Sequence, residues 1–251
     1  MLDRAPLKAI LFDSGRVLNY PRTGNWYLPP NFFRYVDREL FQSLDQNRLE
    51  EAFRIGHQYN VRHHLARTES EEWEHFIAFY QLVLNELLKL GVNDAAIRQI
   101  ATDAVFNDEK FVFYEDVFTV IPELSRRYRL GVVSDTWPSL ARVYQNAGLR
   151  HYFAAFIMSS VIGVRKPHEL MFNAALAELG LRPEEAVFND DWAPNLDGAR
   201  KLGLQTILMA RDECGARGDA ENHPMIPDLT GLQNWLGIPD PFNQETEGAN
   251  Q

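Results

Sequence analysis

The sequence has a single cysteine, Cys214, among its 251 residues. That excludes an internal disulfide and fits a reducing compartment. It also lacks any apolar run approaching the ~20 residues that a membrane span needs. The N-terminal stretch MLDRAPLKAILF is a poor secretory signal, because its short apolar segment runs straight into an acid. Positive charge is in deficit: 25 Lys and Arg against 35 Asp and Glu give a formal net charge of −10, which argues against a general nucleic-acid binder. No internal repeat or low-complexity tract is present. A soluble, cytoplasmic protein, monomeric or homodimeric, without nucleic-acid or membrane partners, is the expectation.

What is present is a series of short aliphatic runs. KAILF (8–12), LGVVS (130–134), AAFIMSS (154–160), AVFND (186–190) and QTILMA (205–210) are mostly continuously apolar, as strands buried on both faces of a parallel sheet are. Between the later runs lie helical patterns, PSLARVYQNAG, HELMFNAALAELG and PNLDGARKLG, each closed by a glycine. This alternation predicts an α/β fold with a doubly wound, parallel, Rossmann-like sheet.

The first interval breaks the rhythm. Residues 30–112 read as helices, NFFRYVDRELFQSL, QNRLEEAFRIGHQYNVRHHLA, SEEWEHFIAFYQLVLNELLKLG and NDAAIRQIATDAVF, with no convincing strand. An all-helical insertion after the first strand would sit over the carboxyl edge of the sheet, where open α/β folds bind ligands. The expected organisation is a core of residues 1–19 and 113–238, a helical cap over 20–112, and a tail over 239–251. Trp73, Phe76, Phe79 and Tyr80 are expected to form the cap's own core.

Each presumed strand ends in polar groups. The first ends at Asp13, the second at Ser134, and the fourth at Asn189, Asp190 and Asp191, while Lys166 follows the third. Any one of them reads more readily as a turn or helix-capping residue. Four in sequence order, all at carboxyl ends of parallel strands, converge on one crevice. Converging carboxylates repel and raise each other's pKa unless a cation joins them.

These segments resemble the haloacid dehalogenase superfamily, most of whose members are phosphatases. LFDSGRVL resembles the family's first motif, LGVVSDT the second, RKP the third and AVFNDDWAPNLDGARKLG the fourth; the helical insert is similar to a C1-type cap. The resemblance implies that Asp13 attacks phosphorus to form an aspartyl-phosphate. It further implies that Asp13, Asp190 and the Gly15 backbone carbonyl hold Mg²⁺, with Asp191 and Asn195 orienting them. Ser134 would donate to a phosphoryl oxygen, and Lys166 would supply positive charge. The implied substrate is a small phosphorylated metabolite.

One position departs from the family. Its second aspartate, the general acid/base, is here Gly15, and Arg16 follows where glycine is common. Loss of such a group removes about 10²–10⁴-fold of rate. Three readings follow: a substrate with a good leaving group, such as a sugar 1-phosphate or acyl phosphate; another residue acting as acid or base; or binding without turnover. Members resembling alpha-glucose-1-phosphatases carry a similar Asp-x-Gly motif, which favours the first. A true dehalogenase is a weaker alternative, since those enzymes work without metal. Tyr20, Arg22, Asn25 and Trp26, which follow the first motif, and Asp135, beside Ser134, complete the substrate-binding candidates.

Overall fold

In a computed structural model, residues 6–211 and 222–238 are described. Cys214 and the expected tail 239–251 lie outside them.

The strands are β1 (Ala9–Phe12), β2 (Asn19–Pro21), β3 (Phe111–Phe113), β4 (Arg129–Ser134), β5 (Phe153–Met158), β6 (Ala186–Asp190), β7 (Gln205–Met209) and β8 (Met225–Ile226). Six form one sheet in the order β5-β4-β1-β6-β7-β8, and each of its pairings is parallel. β1 is central, in register with β4 on one side and β6 on the other. Its four residues are fully buried and alternate between two hydrophobic clusters. Ile10 and Phe12 join one, with Val117 and Ile121 of α5 (Glu115–Ser125), Tyr144 of α6 (Ser139–Asn146) and Leu232 of α10 (Leu229–Trp235). Ala9 and Leu11 join the other, with Phe172 of α8 (Glu169–Leu179), which follows the one-turn α7 (Ser159–Ile162), and Leu196 of α9 (Ala193–Lys201). The continuously apolar strands thus have both faces covered by helices, in the expected three-layer α/β arrangement.

Between β2 and β3 run α1 (Arg38–Gln42), α2 (Gln46–Arg62), α3 (Glu69–Glu86) and α4 (Asp94–Phe106). They gather a third cluster that includes Phe76, Phe79, Tyr80, Ile97 and Ile100. α3 starts with a capping box, Thr68 accepting from the Glu71 amide and Glu71 accepting from the Thr68 amide. The stretch expected as one helix over NFFRYVDRELFQSL is instead a 3₁₀ turn, Phe32–Arg34, and then α1, because Asp37 caps a fresh start by accepting from the Leu40 amide at 2.8 Å. α2 stops at Arg62, so the HHLA that follows is not helical. The two-residue β8, and a ribbon of three-residue strands, β2 antiparallel to β3, appear where no strand was expected. Segments that short carry no readable period.

The helical insertion makes polar contacts with the helices that follow β4 and β5. His64 Nε2 lies 2.7 Å from Ser159 Oγ, and the Ala66 amide donates to the Ser160 carbonyl at 3.0 Å. Glu72 of α3 accepts from the amide and hydroxyl of Ser139, at 2.8 and 2.7 Å. Arg142 of α6 pairs with Glu69 and Asp108.

Candidate active site

The first strand ends where the chain must turn without losing its hydrogen bonds. The Asp13 amide donates to the Asn189 carbonyl on the neighbouring strand at 2.8 Å. Ser14 O then accepts the amides of Leu18 and Asn19, and its hydroxyl is bonded to Tyr144 Oη (2.8 Å) and Asn19 Nδ2 (2.7 Å). Arg211 closes the turn from the far side, donating to Val17 O at 2.9 Å while pairing with Asp116 at 3.0 Å. This holds Asp13, 9 % exposed, at the carboxyl edge of the central strand.

Lys166 is brought to it by a close backbone approach. Gly198 of α9 packs against Pro167 so tightly that a Cβ on it would stand 2.5 Å from Pro167 Cβ and 2.9 Å from its carbonyl oxygen. A larger residue there would push the 166–167 segment away. Lys166 Nζ is 2.8 Å from Asp13 Oδ1 and donates to Asp190 Oδ2 at 2.7 Å. Asp190, fully buried at the end of β6, also accepts from the Trp192 amide at 2.8 Å and Asn195 Nδ2 at 3.0 Å. Burial disfavours charge on Lys166, but Asp13, Asp190 and Asp135 outweigh it and hold its pKa above the ordinary lysine range. Burial pushes the Asp190 carboxyl up; Lys166 opposes that, and the Asp13 and Asp191 charges add to it.

The carboxylates fit a hard divalent cation. Asp13, Asp190 and Asp191 each present an oxygen, all within 4.8 Å of one another. Beside them the buried Asn195 Oδ1 has no hydrogen-bond partner. An all-oxygen set of this kind suits Mg²⁺ rather than a soft or imidazole-preferring metal.

A cavity of about 260 Å³ opens above these groups. Asp13, Gly15, Ser134, Asp135, Lys166, Asp191, Asn195 and Trp26 line it, so most of the residues expected from strand ends meet there; Asp190 lies beneath the surface. Asp135 Oδ1 accepts the Lys166 amide at 2.9 Å. Three expected substrate-binding residues do not reach the cavity. Tyr20 packs at a tilt against Tyr114, with ring centroids 4.9 Å apart, Arg22 is exposed and donates to Glu109 O at 2.7 Å, and Asn25 is exposed and accepts the Tyr27 amide at 2.9 Å. Tyr20 belongs to β2, and Arg22 and Asn25 to the turn after it.

The insertion supplies groups that the sequence reading missed. Tyr27, Phe76 and Phe111 form aromatic walls, together with Trp137 from the sheet side. Glu72 is 1 % exposed, and burial raises its pKa to about 7 against the lowering effect of Ser139 and Lys110. Lys110 is also buried; its Nζ donates to Ala104 O at 3.0 Å, and burial lowers its pKa to about 8 against the opposing charges of Glu72 and Asp103. Glu72 was findable in principle, because it lies four residues before Phe76 and seven before Phe79, on the apolar face of α3. Lys110 gives no such signal.

A family profile described as haloacid dehalogenase-like hydrolase matches residues 19–203, well over half of the chain. The chain belongs to the haloacid dehalogenase-like hydrolases. Among relatives of this haloacid dehalogenase-like chain, a glyceraldehyde 3-phosphate phosphatase of Methanopyrus kandleri is 30% identical over 155 residues, 57% of this chain and 64% of that protein. A phosphoserine phosphatase of Thermus thermophilus is 29% identical over 138 residues, 53% of this chain and 55% of that protein. The chain therefore spans less than two thirds of the length of either relative. A solved phosphatase of the same family from Thermococcus onnurineus shares the fold, with a TM-score of 0.63 at 20% identity over 92% of this chain and 98% of that one. No helix among the described residues is long and apolar enough to cross a membrane.

Proposed function

We propose that this chain is a Mg²⁺-dependent phosphatase acting on a small phosphorylated metabolite, with the helical insertion serving as a cap over its cavity. The observation that carries the reading is Lys166 bridging Asp13 and Asp190 at 2.8 and 2.7 Å, in a cluster of three carboxylates at the carboxyl edge of the sheet. The phosphatase relatives support the reaction class.

Asp13 is the nucleophile. Its carboxylate attacks phosphorus, the bond to the leaving oxygen breaks with its electron pair going to that oxygen, and the phosphoryl group is held as an aspartyl-phosphate until water releases it. Asp13, Asp190 and the Gly15 carbonyl are the proposed Mg²⁺ ligands, with Asp191 and Asn195 supporting them. Bound Mg²⁺ would supply positive charge to the phosphoryl oxygens. Ser134 donates to one of these oxygens, and Lys166 adds charge while holding Asp13 in line. Gly15 brings no side chain that can protonate the leaving group, so esters with good leaving groups, sugar 1-phosphates or acyl phosphates among them, are the preferred substrates.

The test is turnover of an aryl, acyl and sugar phosphate panel with Mg²⁺, with Asp13→Asn as control. Activity that survives the substitution removes Asp13 from the mechanism. Saturable phosphate-ester binding without turnover by the wild-type protein would make the chain a binding protein.

A further inference from the structure

Arg16 adopts a left-handed conformation, φ 63°, and is the only non-glycine residue among those described with a positive φ. An L side chain there is strained. The turn around it is over-determined: the Arg16 amide donates to Asn19 O at 2.5 Å, Ser14 O accepts two amides, and Arg211 holds Val17 O. Glycine would take this conformation without strain. Strain of this kind persists only where the surroundings over-determine it, and it clusters at functional sites.

The side chain lies in the right place for such work. Arg16 is half-buried and lines the same cavity as Asp13, Ser134 and Lys166. No acid pairs with it among the described residues, and its guanidinium has no hydrogen bond to them. The other two cations among the described residues that line the cavity are already engaged: Lys166 by two aspartates, and Lys110 by a carbonyl. A planar cation with five donors and no partner among the described residues, in the same cavity as a nucleophilic carboxylate, is suited to an anionic oxygen.

We propose that Arg16 is a catalytic residue that binds the leaving oxygen of the substrate and stabilises the negative charge that develops there. The inference rests on the phosphoryl-transfer reading above. As the phosphorus–oxygen bond breaks, its electron pair moves to the leaving oxygen, and the guanidinium donates hydrogen bonds to that anion while remaining protonated. A released alkoxide takes its proton from water, whereas a carboxylate departs as the stable anion and a phenolate is protonated only as its own pKa requires. Fixed charge thus does at position 16 part of what a proton donor at position 15 would do.

The experiment compares wild type, Arg16→Gly, Arg16→Met and Arg16→Lys for kcat and KM on a series of aryl and alkyl phosphates with graded leaving-group pKa, alongside thermal denaturation. Arg16→Gly is expected to melt about 2–4 °C higher, because strain is relieved, yet to lose about 10²-fold in kcat on the poorest leaving groups. Its dependence on leaving-group pKa should steepen, with KM little changed. Arg16→Met, which keeps the strain and loses the charge, should match that kinetic loss without the gain in melting temperature. Arg16→Lys should recover part of the rate. Equal losses across the series, with the slope unchanged, would overturn the assignment. So would a loss seen only as raised KM on substrates carrying a carboxylate, which would place a remote anion on Arg16. Wild-type protein that turns over nothing overturns the phosphatase reading itself, whereas wild-type turnover that Arg16→Gly retains overturns only the role of Arg16.

Discussion

The indole of Trp26 packs against the bare Cα of Gly15: a Cβ built on Gly15 lies 3.4 Å from Trp26 Cζ2 and 3.9 Å from Cε2. Alanine fits at this distance, while the ring narrows the room left for an aspartate's carboxyl. Gly15 and Trp26 therefore form one steric unit. Gly15→Asp alone is expected to melt lower and to gain no rate on alkyl phosphates. Gly15→Asp with Trp26→Ala should be faster on those esters than Trp26→Ala alone. Steady-state kinetics on an alkyl and an aryl phosphate checks both statements.

Lys166 is the counter-charge between two buried carboxylates. Lys166→Met leaves Asp13 and Asp190 facing each other, at a cost of about 3–5 kcal/mol of folding stability. A divalent cation bound at the same carboxylates would offset part of that cost. Adding Mg²⁺ is thus expected to raise the denaturation midpoint of the variant more than that of the wild type, while turnover is lost in both the presence and absence of metal. Equal shifts would separate the lysine from the metal site.

Glu72 sets a pH dependence of definite sign. Burial raises its folded-state pKa from the ordinary 4.5 to about 7, so the folded state holds this proton more tightly than the unfolded chain does. The stability gained this way is full below pH 4.5 and is lost as pH rises through 7, an effect on the order of 3 kcal/mol. Glu72→Gln, which cannot ionise, should gain about that much relative to the wild type between pH 4 and pH 8, as measured by urea denaturation. The same substitution tests whether α3 and α6 stay joined through Ser139.

His64 carries the opposite charge logic. Arg165 donates to its Nδ1 at 3.2 Å, so Nε2 bears the ring proton and donates to Ser159 Oγ at 2.7 Å. Burial, with Arg165 adding to it, lowers its pKa to about 3, so it stays neutral. Ser159→Ala leaves that buried N–H without its acceptor, at a cost of about 1–3 kcal/mol. Faster amide hydrogen exchange at Ala66, whose amide is bonded to Ser160 O, is the local readout.

The part of the site that was legible lies at strand ends. Asp13, Ser134 and Asp190 each terminate an apolar run, and a parallel sheet aligns such ends by construction. Lys166 followed from its position after the third strand, whereas Asn195 came only from the family resemblance. The cavity's other wall was opaque for a physical reason. Glu72, Tyr27 and Lys110 reach it only through the packing of separate helices, which no local pattern encodes. β2 and the turn after it misled for a related reason: Tyr20, Arg22 and Asn25 stand next to the nucleophile in sequence, but the ribbon directs them to Tyr114, Glu109 and Tyr27. Arg16 was visible as a departure from glycine, yet its left-handed backbone and lack of a partner needed the folded turn.

The ribbon has a further consequence. Asn19 pairs with Phe113 and Pro21 with Phe111, so the chain leaves the sheet and comes back to it at a single point. Everything from residue 22 to 110 is a closed loop of chain tied at its neck. No pairing of the six-stranded sheet involves a residue of that loop, so replacing it by a two-residue turn would remove none of them. A different helical loop can equally be spliced onto the same neck, leaving Asp13 and Lys166 where they are while exchanging the walls above them.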